Sequence, residues 1–211
     1  MGKNLDAKCK QCRRAGEKLF LKGERCFSPK CAMVKRNYPP GFHGPKGKKR
    51  LTDYGLQLNE KQKARKMYGL REGQFKLIFK KEQSRGGDVG ANFLRALEMR
   101  LDNIIYRAGF APSRQQARQI VSHGHVTIDD KKMNIPSYQV KIGQVVKIKK
   151  SSAKNKYFRD LPERLKTLAP EQKSWLAVDV KDLSAKVLHE PRTEDLPQNI
   201  KTHMIIEFYS K

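Results

Sequence analysis

The chain has 211 residues and carries 46 Lys and Arg against 21 Asp and Glu, a formal charge of +25. Its longest unbroken apolar run is four residues, far short of the roughly 20 that cross a bilayer, and the opening Met1-Gly2-Lys3-Asn4-Leu5-Asp6 lacks the apolar stretch of a secretion signal. So high a charge repels itself in the compact state and asks for a polyanionic partner; with no basic amphipathic helix for an anionic membrane surface, a cytoplasmic nucleic-acid binder is expected.

The charge is unevenly spread. Residues 1–50 carry net +12, residues 51–160 net +13, and residues 161–211 are neutral. The first three-quarters are therefore expected to face the anion and the last quarter to pack against protein.

All four cysteines fall within the first 31 residues: Cys9 and Cys12, then Cys26 and Cys31. Two close pairs separated by thirteen residues suit a tetrahedral thiolate site, since each short loop supplies two sulfurs to one ion. The Lys and Arg around them are expected to lower the thiol pKa values and favour the metal-binding thiolate. A single structural zinc is the expected occupant, although an iron–sulfur cluster uses the same four ligands; disulfides are disfavoured in the cytosol. Leu19-Phe20-Leu21, between Gly16 and Gly23, suggests a short hairpin joining the pairs.

Next comes Tyr38-Pro39-Pro40-Gly41-Phe42-His43-Gly44-Pro45-Lys46-Gly47, whose Pro and Gly content predicts an extended linker. His43 is weighed as a fifth metal ligand, but four cysteines already close the site. Lys46, Lys48, Lys49 and Arg50 can lie along a phosphate backbone, as can Arg13 and Arg14 beside the first cysteine pair.

Thr52 or Asp53 caps a predicted helix reaching about Met67, stopped by Gly69. A second helix covers about Gln74 to Gln83, and Ser84-Arg85-Gly86-Gly87 is a turn. Asp88 then caps one long predicted helix in which Val89, Phe93, Leu94, Leu97, Leu101, Ile104 and Ile105 form an apolar stripe, ending at Gly109. Arg100 and Arg107 stand two turns apart at the edge of that stripe. Ser113-Arg114-Gln115-Gln116 reads as a capping box; the short helix behind it buries Ala117, Ile120 and Val121 and sets Arg114 and Arg118 side by side. Four arginines and a helix N-terminus suit phosphate binding. Beyond Gly124 the pattern alternates. Val126 and Ile128, Val140 and Ile142, and Val146 and Ile148 predict short strands of a small, mostly antiparallel sheet, with a turn at Asp129-Asp130-Lys131.

Arg100-Leu101-Asp102-Asn103, Arg107-Ala108-Gly109-Phe110-Ala111, Ser113 to Gln119, His123-Gly124-His125-Val126 and Ile135-Pro136-Ser137-Tyr138 resemble the helix–helix–strand RNA-binding module named after ribosomal protein S-four. Gly16 to Cys31, Tyr38-Pro39-Pro40-Gly41 and Ile205 to Lys211 extend the resemblance over nearly the whole chain, to the four-cysteine, zinc-containing branch of the bacterial S-four family. Gly143-Gln144 departs from the family's usual Gly-Asp, which puts capping by that carboxylate in doubt.

The resemblance implies an α+β fold: a zinc-binding extension with its linker (residues 1–45), a helical domain (46–98, completed by 185–211), and an inserted domain (99–184) with the module at about 99–150. It implies a structural ribosomal protein that binds small-subunit (16S) rRNA early, nucleates assembly of the 5′ domain, and lies beside neighbouring small-subunit proteins where mRNA enters, affecting decoding accuracy. His123 and His125 join Arg100, Arg107, Ser113, Arg114 and Arg118 as expected RNA contacts. Two rival readings stand beside this one. An RNA-modifying enzyme with an appended module would read Arg100-Leu101-Asp102 as a synthase's catalytic Arg-Leu-Asp, but Asp102 falls inside the module's own helix and no remaining segment is long enough for such a catalytic domain. A free-standing RNA chaperone or translational repressor would use the same surface.

Overall fold

A computed structural model describes residues 6–47, 50–168 and 174–210. Lys48 and Lys49, both expected to meet RNA, lie outside them. Helices α1 (Lys8–Ala15), α2 (Ala32–Lys35), α3 (Asp53–Met67), α4 (Glu72–Gln83), α5 (Val89–Glu98), α6 (Leu101–Arg107) and α7 (Arg114–Ser122) precede strands β1 (Val126–Ile128), β2 (Lys131–Met133) and β3 (Val145–Ile148). Helices α8 (Lys150–Ala153), α9 (Lys156–Arg159) and α10 (Leu161–Leu168), strands β4 (Leu176–Asp179) and β5 (Ser184–Val187), and helix α11 (Thr202–Tyr209) follow. No helix among the described residues is long and apolar enough to cross a membrane. The chain divides into two compact units, Met1–Phe93 with Pro197–Lys211, and Leu94–Leu196.

In the first unit the helix signals act as read. The Thr52 hydroxyl accepts from the Gly55 N–H (3.3 Å) and opens α3, and Asp88 accepts from the Ala91 N–H (3.0 Å) ahead of α5. Phe75 and Phe79 of α4 meet Phe93 edge-on, with centroids 4.9 and 5.6 Å apart, a geometry that aromatic quadrupoles favour. Helix α11 docks on α3 through a polar seam. Lys61 bonds Glu72 (2.8 Å) and lies over the Phe208 ring (4.3 Å), while the Tyr209 hydroxyl donates to Glu72 (2.9 Å). Burial alone would raise the Glu72 pKa, but the bonds from Lys61 and Tyr209 outweigh it and hold the carboxyl below its usual range. Tyr209 is pushed far up by burial and by that same carboxylate. Lys63, also buried, gathers Glu60 (2.9 Å), Glu17 (3.3 Å) and the Asn199 carbonyl around one ammonium.

Two expectations for this unit are corrected. No hairpin joins the cysteine pairs among the described residues. Cys9 and Cys12 sit one turn apart in α1, which ends at Gly16 in a left-handed conformation (φ 78°), while Cys26 closes a 3-10 turn and Cys31 caps α2. The Pro/Gly segment is not extended either. It folds back so that Gly44 is buried directly under the Pro39 carbonyl, where a Cβ would collide with it, and Gly44–Lys46 form a 3-10 turn.

In the second unit the long predicted helix breaks at Arg100, whose backbone is extended and bridges Gln139. The cause lies in residues 136–140. The amides of Leu101 and Asp102 donate to the Tyr138 (2.9 Å) and Pro136 (3.1 Å) carbonyls, and Val140 N–H donates to Met99 O (3.0 Å). Those amides open α6 already satisfied, so the break costs no unpaired donors. The sheet is antiparallel in the order β2-β1-β3-β5-β4. Asp129 and Asp130 both take positive φ (47° and 64°) in the β1–β2 turn, as a tight hairpin requires. Val140 and Ile142 form no strand; Val140 is buried by its bond to Met99, and Ile142 is exposed.

Gln144 closes the turn before β3 with its own side chain. Its Oε1 accepts the Lys141 N–H (2.9 Å) and its amide donates to Asp129 (3.0 Å). Trp175, Phe158, Leu161 and Leu165 complete a core with the inward residues of β1, β3 and β5. Because β5 buries Ala185 and Val187 there, the tail that joins the helical unit begins at Pro197 and not at residue 185.

Candidate nucleic-acid interface

The expected arginine surface of the second unit proves to be mostly an internal network. Arg100, 2% exposed, makes a two-pronged pair with Asp102 (3.0 and 2.8 Å). Its guanidinium is therefore spent inside the core, where it was expected at the RNA surface, and Asp102, the residue a synthase-like mechanism would need, is engaged in the same pair. Arg107 binds Glu98 through Nε and Nη2 (2.7 Å each). Asn103 donates to the same carboxylate (2.7 Å) and accepts from Arg114 Nε (2.7 Å). Arg114 reaches Glu98 at 3.9 Å and lies over the Tyr106 ring at 4.5 Å. Glu98 is wholly buried, so its carboxylate ties α5, α6 and α7 through charge-assisted bonds of the strong kind.

Ser113 is buried as the cap of α7, accepting from Gln116 N–H (3.3 Å). The polar face of α7 is built from Gln115, Gln119, Ser122 and His123, all exposed, flanked by half-buried Arg118. These positions recur at helical spacing opposite Ala117, Ile120 and Val121, so the same periodicity that located the core also marks this face. His125 is half-buried, with Nδ1 2.9 Å from the Ser152 hydroxyl and its ring edge-on to Phe158. Burial, then His123 and Lys149, lower its pKa, which favours the neutral ring. Lys132 was not anticipated. Its side chain passes over Gly124, with its Cε 2.6 Å from where a Cβ on that residue would lie, and so adds a cation from the hairpin beside the end of α7. Only the pairing of β2 with β1 brings it there.

In the first unit, Arg14, Lys46 and Arg50 are exposed. Arg13 is not available in the same way. It donates to the Tyr38 (2.9 Å) and Pro39 (3.2 Å) carbonyls and stacks over the Tyr38 ring (4.7 Å), fastening α1 to the Pro/Gly segment.

The four cysteines line one cavity of about 20 Å³, together with Lys8, Lys22 and Arg25. No disulfide joins any two of the cysteines. The Lys22 N–H donates to Cys26 Sγ (3.3 Å), the kind of bond that steadies a thiolate ligand. The donor set therefore suits a thiophilic ion, yet among the described residues no three His, Cys, Asp or Glu side chains are grouped closely enough to hold one. Nor is the Cys12 pKa lowered; burial raises it, a bond from the Leu19 backbone offsets part of that, and the three neighbouring thiols add to the rise. His43 faces Phe42 and does not line the cavity.

The sequence matches two family profiles end to end, the ribosomal protein S4/S9 N-terminal domain over residues 3–98 and the S4 domain over residues 99–146. It is 47% identical, over all 211 residues and the full length of the relative, to the small ribosomal subunit protein uS4 of Clostridioides difficile. The chain belongs to the uS4 family. The uS4 protein of Heliobacterium modesticaldum is also 47% identical over 96% of both chains, and that of Thiobacillus denitrificans 47% over the full length of both. The S4 domain match begins at Met99, directly after Glu98 and next to the break between α5 and α6.

Proposed function

We infer that the protein is a structural component of the small ribosomal subunit that binds its 16S rRNA and works in the cytoplasm. The observation that carries this is the full-length similarity to uS4 proteins, joined to a +25 charge that calls for a polyanion. Recognition is by shape and phosphate, because duplex RNA hides its base edges in a deep groove. Gln115, Arg118, Gln119, His123 and Lys132 form one contact face, and Arg14, Lys46 and Arg50 another. Arg100, Arg107 and Arg114 act by fixing the geometry of the short helices. A rigid cationic array of this kind holds RNA helices at set angles, which is the physical content of nucleating the 5′ domain. Neighbouring small-subunit proteins and mRNA where it enters are the further partners, with an effect on decoding accuracy.

Binding of the full chain to a small-subunit rRNA transcript is expected to weaken steeply with salt, the logarithm of the constant falling by about 0.7–0.9 per phosphate neutralised. Arg118→Glu should weaken it far more than Lys186→Glu, on β5. A constant flat across a tenfold range of salt overturns the electrostatic reading.

Cys9, Cys12, Cys26 and Cys31 hold one structural zinc in this reading, supported by the four thiols lining one cavity and by the bond to Cys26 Sγ. The ion would stabilise the arm by cross-linking α1 to the turn before α2. Because the ligands must lose protons, and Cys12 resists losing its own, metal affinity should fall as pH drops. Elemental analysis of the purified protein should find about one equivalent of zinc; less than half an equivalent, or a coloured iron chromophore, overturns the assignment.

A further inference from the structure

We propose that Phe27, backed by Phe20, is a stacking site for one unpaired nucleobase, an inference that rests on the rRNA-binding reading above. The two rings stack with centroids 5.1 Å apart and planes inclined by 28°, and Phe27 is 73% exposed. What sets Phe27 apart from the more exposed Phe42 (89%) is the second ring stacked behind it, which leaves one flat apolar face open.

The backbone around the pair is built to hold it. Phe20 takes a positive φ of 51°, a region that bulky side chains avoid and that persists only where the surroundings over-determine it. Leu19 before it is fully buried, so the strained turn sends one side chain inward and leaves the next against Phe27. The loop carrying Phe27 is closed by its N–H bond to Glu24 O (3.0 Å), by the Ser28 hydroxyl on Arg25 O (3.1 Å), and by Cys31 N–H on Ser28 O (3.0 Å). The ring is thus offered in a fixed position, and little ordering cost remains for binding.

The surroundings select the ligand. Lys18, Lys22, Arg25 and Lys30 are all exposed in this segment, against Glu17 and Glu24. An apolar ring face within cations fits a partner that has an aromatic plane on an anionic backbone. A nucleotide has both, and a base is reachable only where it has left the helical stack, in a bulge or loop. Stacking of this type is sequence-tolerant and makes a substantial contribution per base.

The test compares the full chain with Phe27→Leu and Phe27→Tyr for binding to a small-subunit rRNA transcript across a salt series. Phe27→Leu should weaken binding about tenfold at every salt concentration, with the salt slope unchanged because no phosphate contact is lost. Phe27→Tyr should restore affinity, since it keeps the ring face. Zero-length ultraviolet crosslinking should join the peptide containing Phe27 to one unpaired nucleotide, and the crosslink should vanish in Phe27→Leu. An affinity unchanged in Phe27→Leu overturns the stacking site, and so does a loss accompanied by a shallower slope, which signals a displaced arm. Failure of the unaltered chain to bind the transcript overturns the ribosomal reading itself.

Discussion

Replacing Glu98 by alanine is expected to destabilise the second unit by about 3–5 kcal/mol, the range for stranding a buried charge by removing its partner. Glu98 is wholly buried and receives two bonds from Arg107 and one from Asn103, with Arg114 nearby. Its loss leaves the Arg107 guanidinium, only 17% exposed, facing a void. Native domains are stable by only about 5–15 kcal/mol, so the S4 module should populate open forms and rRNA binding should fall with it. The single tryptophan, Trp175, is buried in this unit's core, so urea denaturation followed by its fluorescence reads the effect directly. Glu98→Gln keeps the shape and an acceptor for Asn103, and should cost roughly 1–3 kcal/mol. An alanine variant within about 0.5 kcal/mol of the parent, the range of an ordinary surface substitution, would show that the network does not hold the helices.

Arg100→Ala should behave as a core mutation and not as a lost RNA contact. The arginine and Asp102 are 2% and 7% exposed, so deleting one partner strands the other at a cost of about 3–5 kcal/mol. Removing both, in Arg100→Ala/Asp102→Ala, should recover a large part of that loss, because a buried pair replaced as a unit leaves no orphan charge. While the single variant remains folded, its rRNA-binding salt slope should equal the parent's. An unchanged denaturation midpoint with a slope reduced by about 0.7–0.9 would make Arg100 a phosphate contact after all.

These two cases mark where reading the sequence succeeds and where it stops. Caps at Thr52, Asp88 and Ser113 are local chemistry, and each opened the expected helix. The break at Arg100 is not local. The apolar stripe runs straight through it, and only the carbonyls of Pro136 and Tyr138, more than thirty residues away, interrupt the helix. Likewise, Arg107 and Arg114 read as phosphate ligands because nothing in their spacing shows that Glu98, at the end of the preceding helix, turns towards them. Charge alone points to an anionic partner; it does not show which cations are spent on carboxylates. The Pro/Gly segment failed for a related reason, since composition excludes helix and sheet but says nothing of Gly44 closing under Pro39.

The Arg95 Nε bond to the Pro191 carbonyl (3.2 Å) has a consequence for how the molecule is made. The second unit is one uninterrupted stretch, whereas the first needs Pro197–Lys211, which are synthesised after it. The inserted unit can therefore mature while its host is still incomplete, reversing the usual amino-to-carboxyl order. Once it folds, chain positions 95 and 191 are neighbours, and the long loop between them is already closed. The entropy of closing that loop is then already met when Asn199 arrives at Lys63, whose ammonium also holds Glu17 from the opposite side of the sequence.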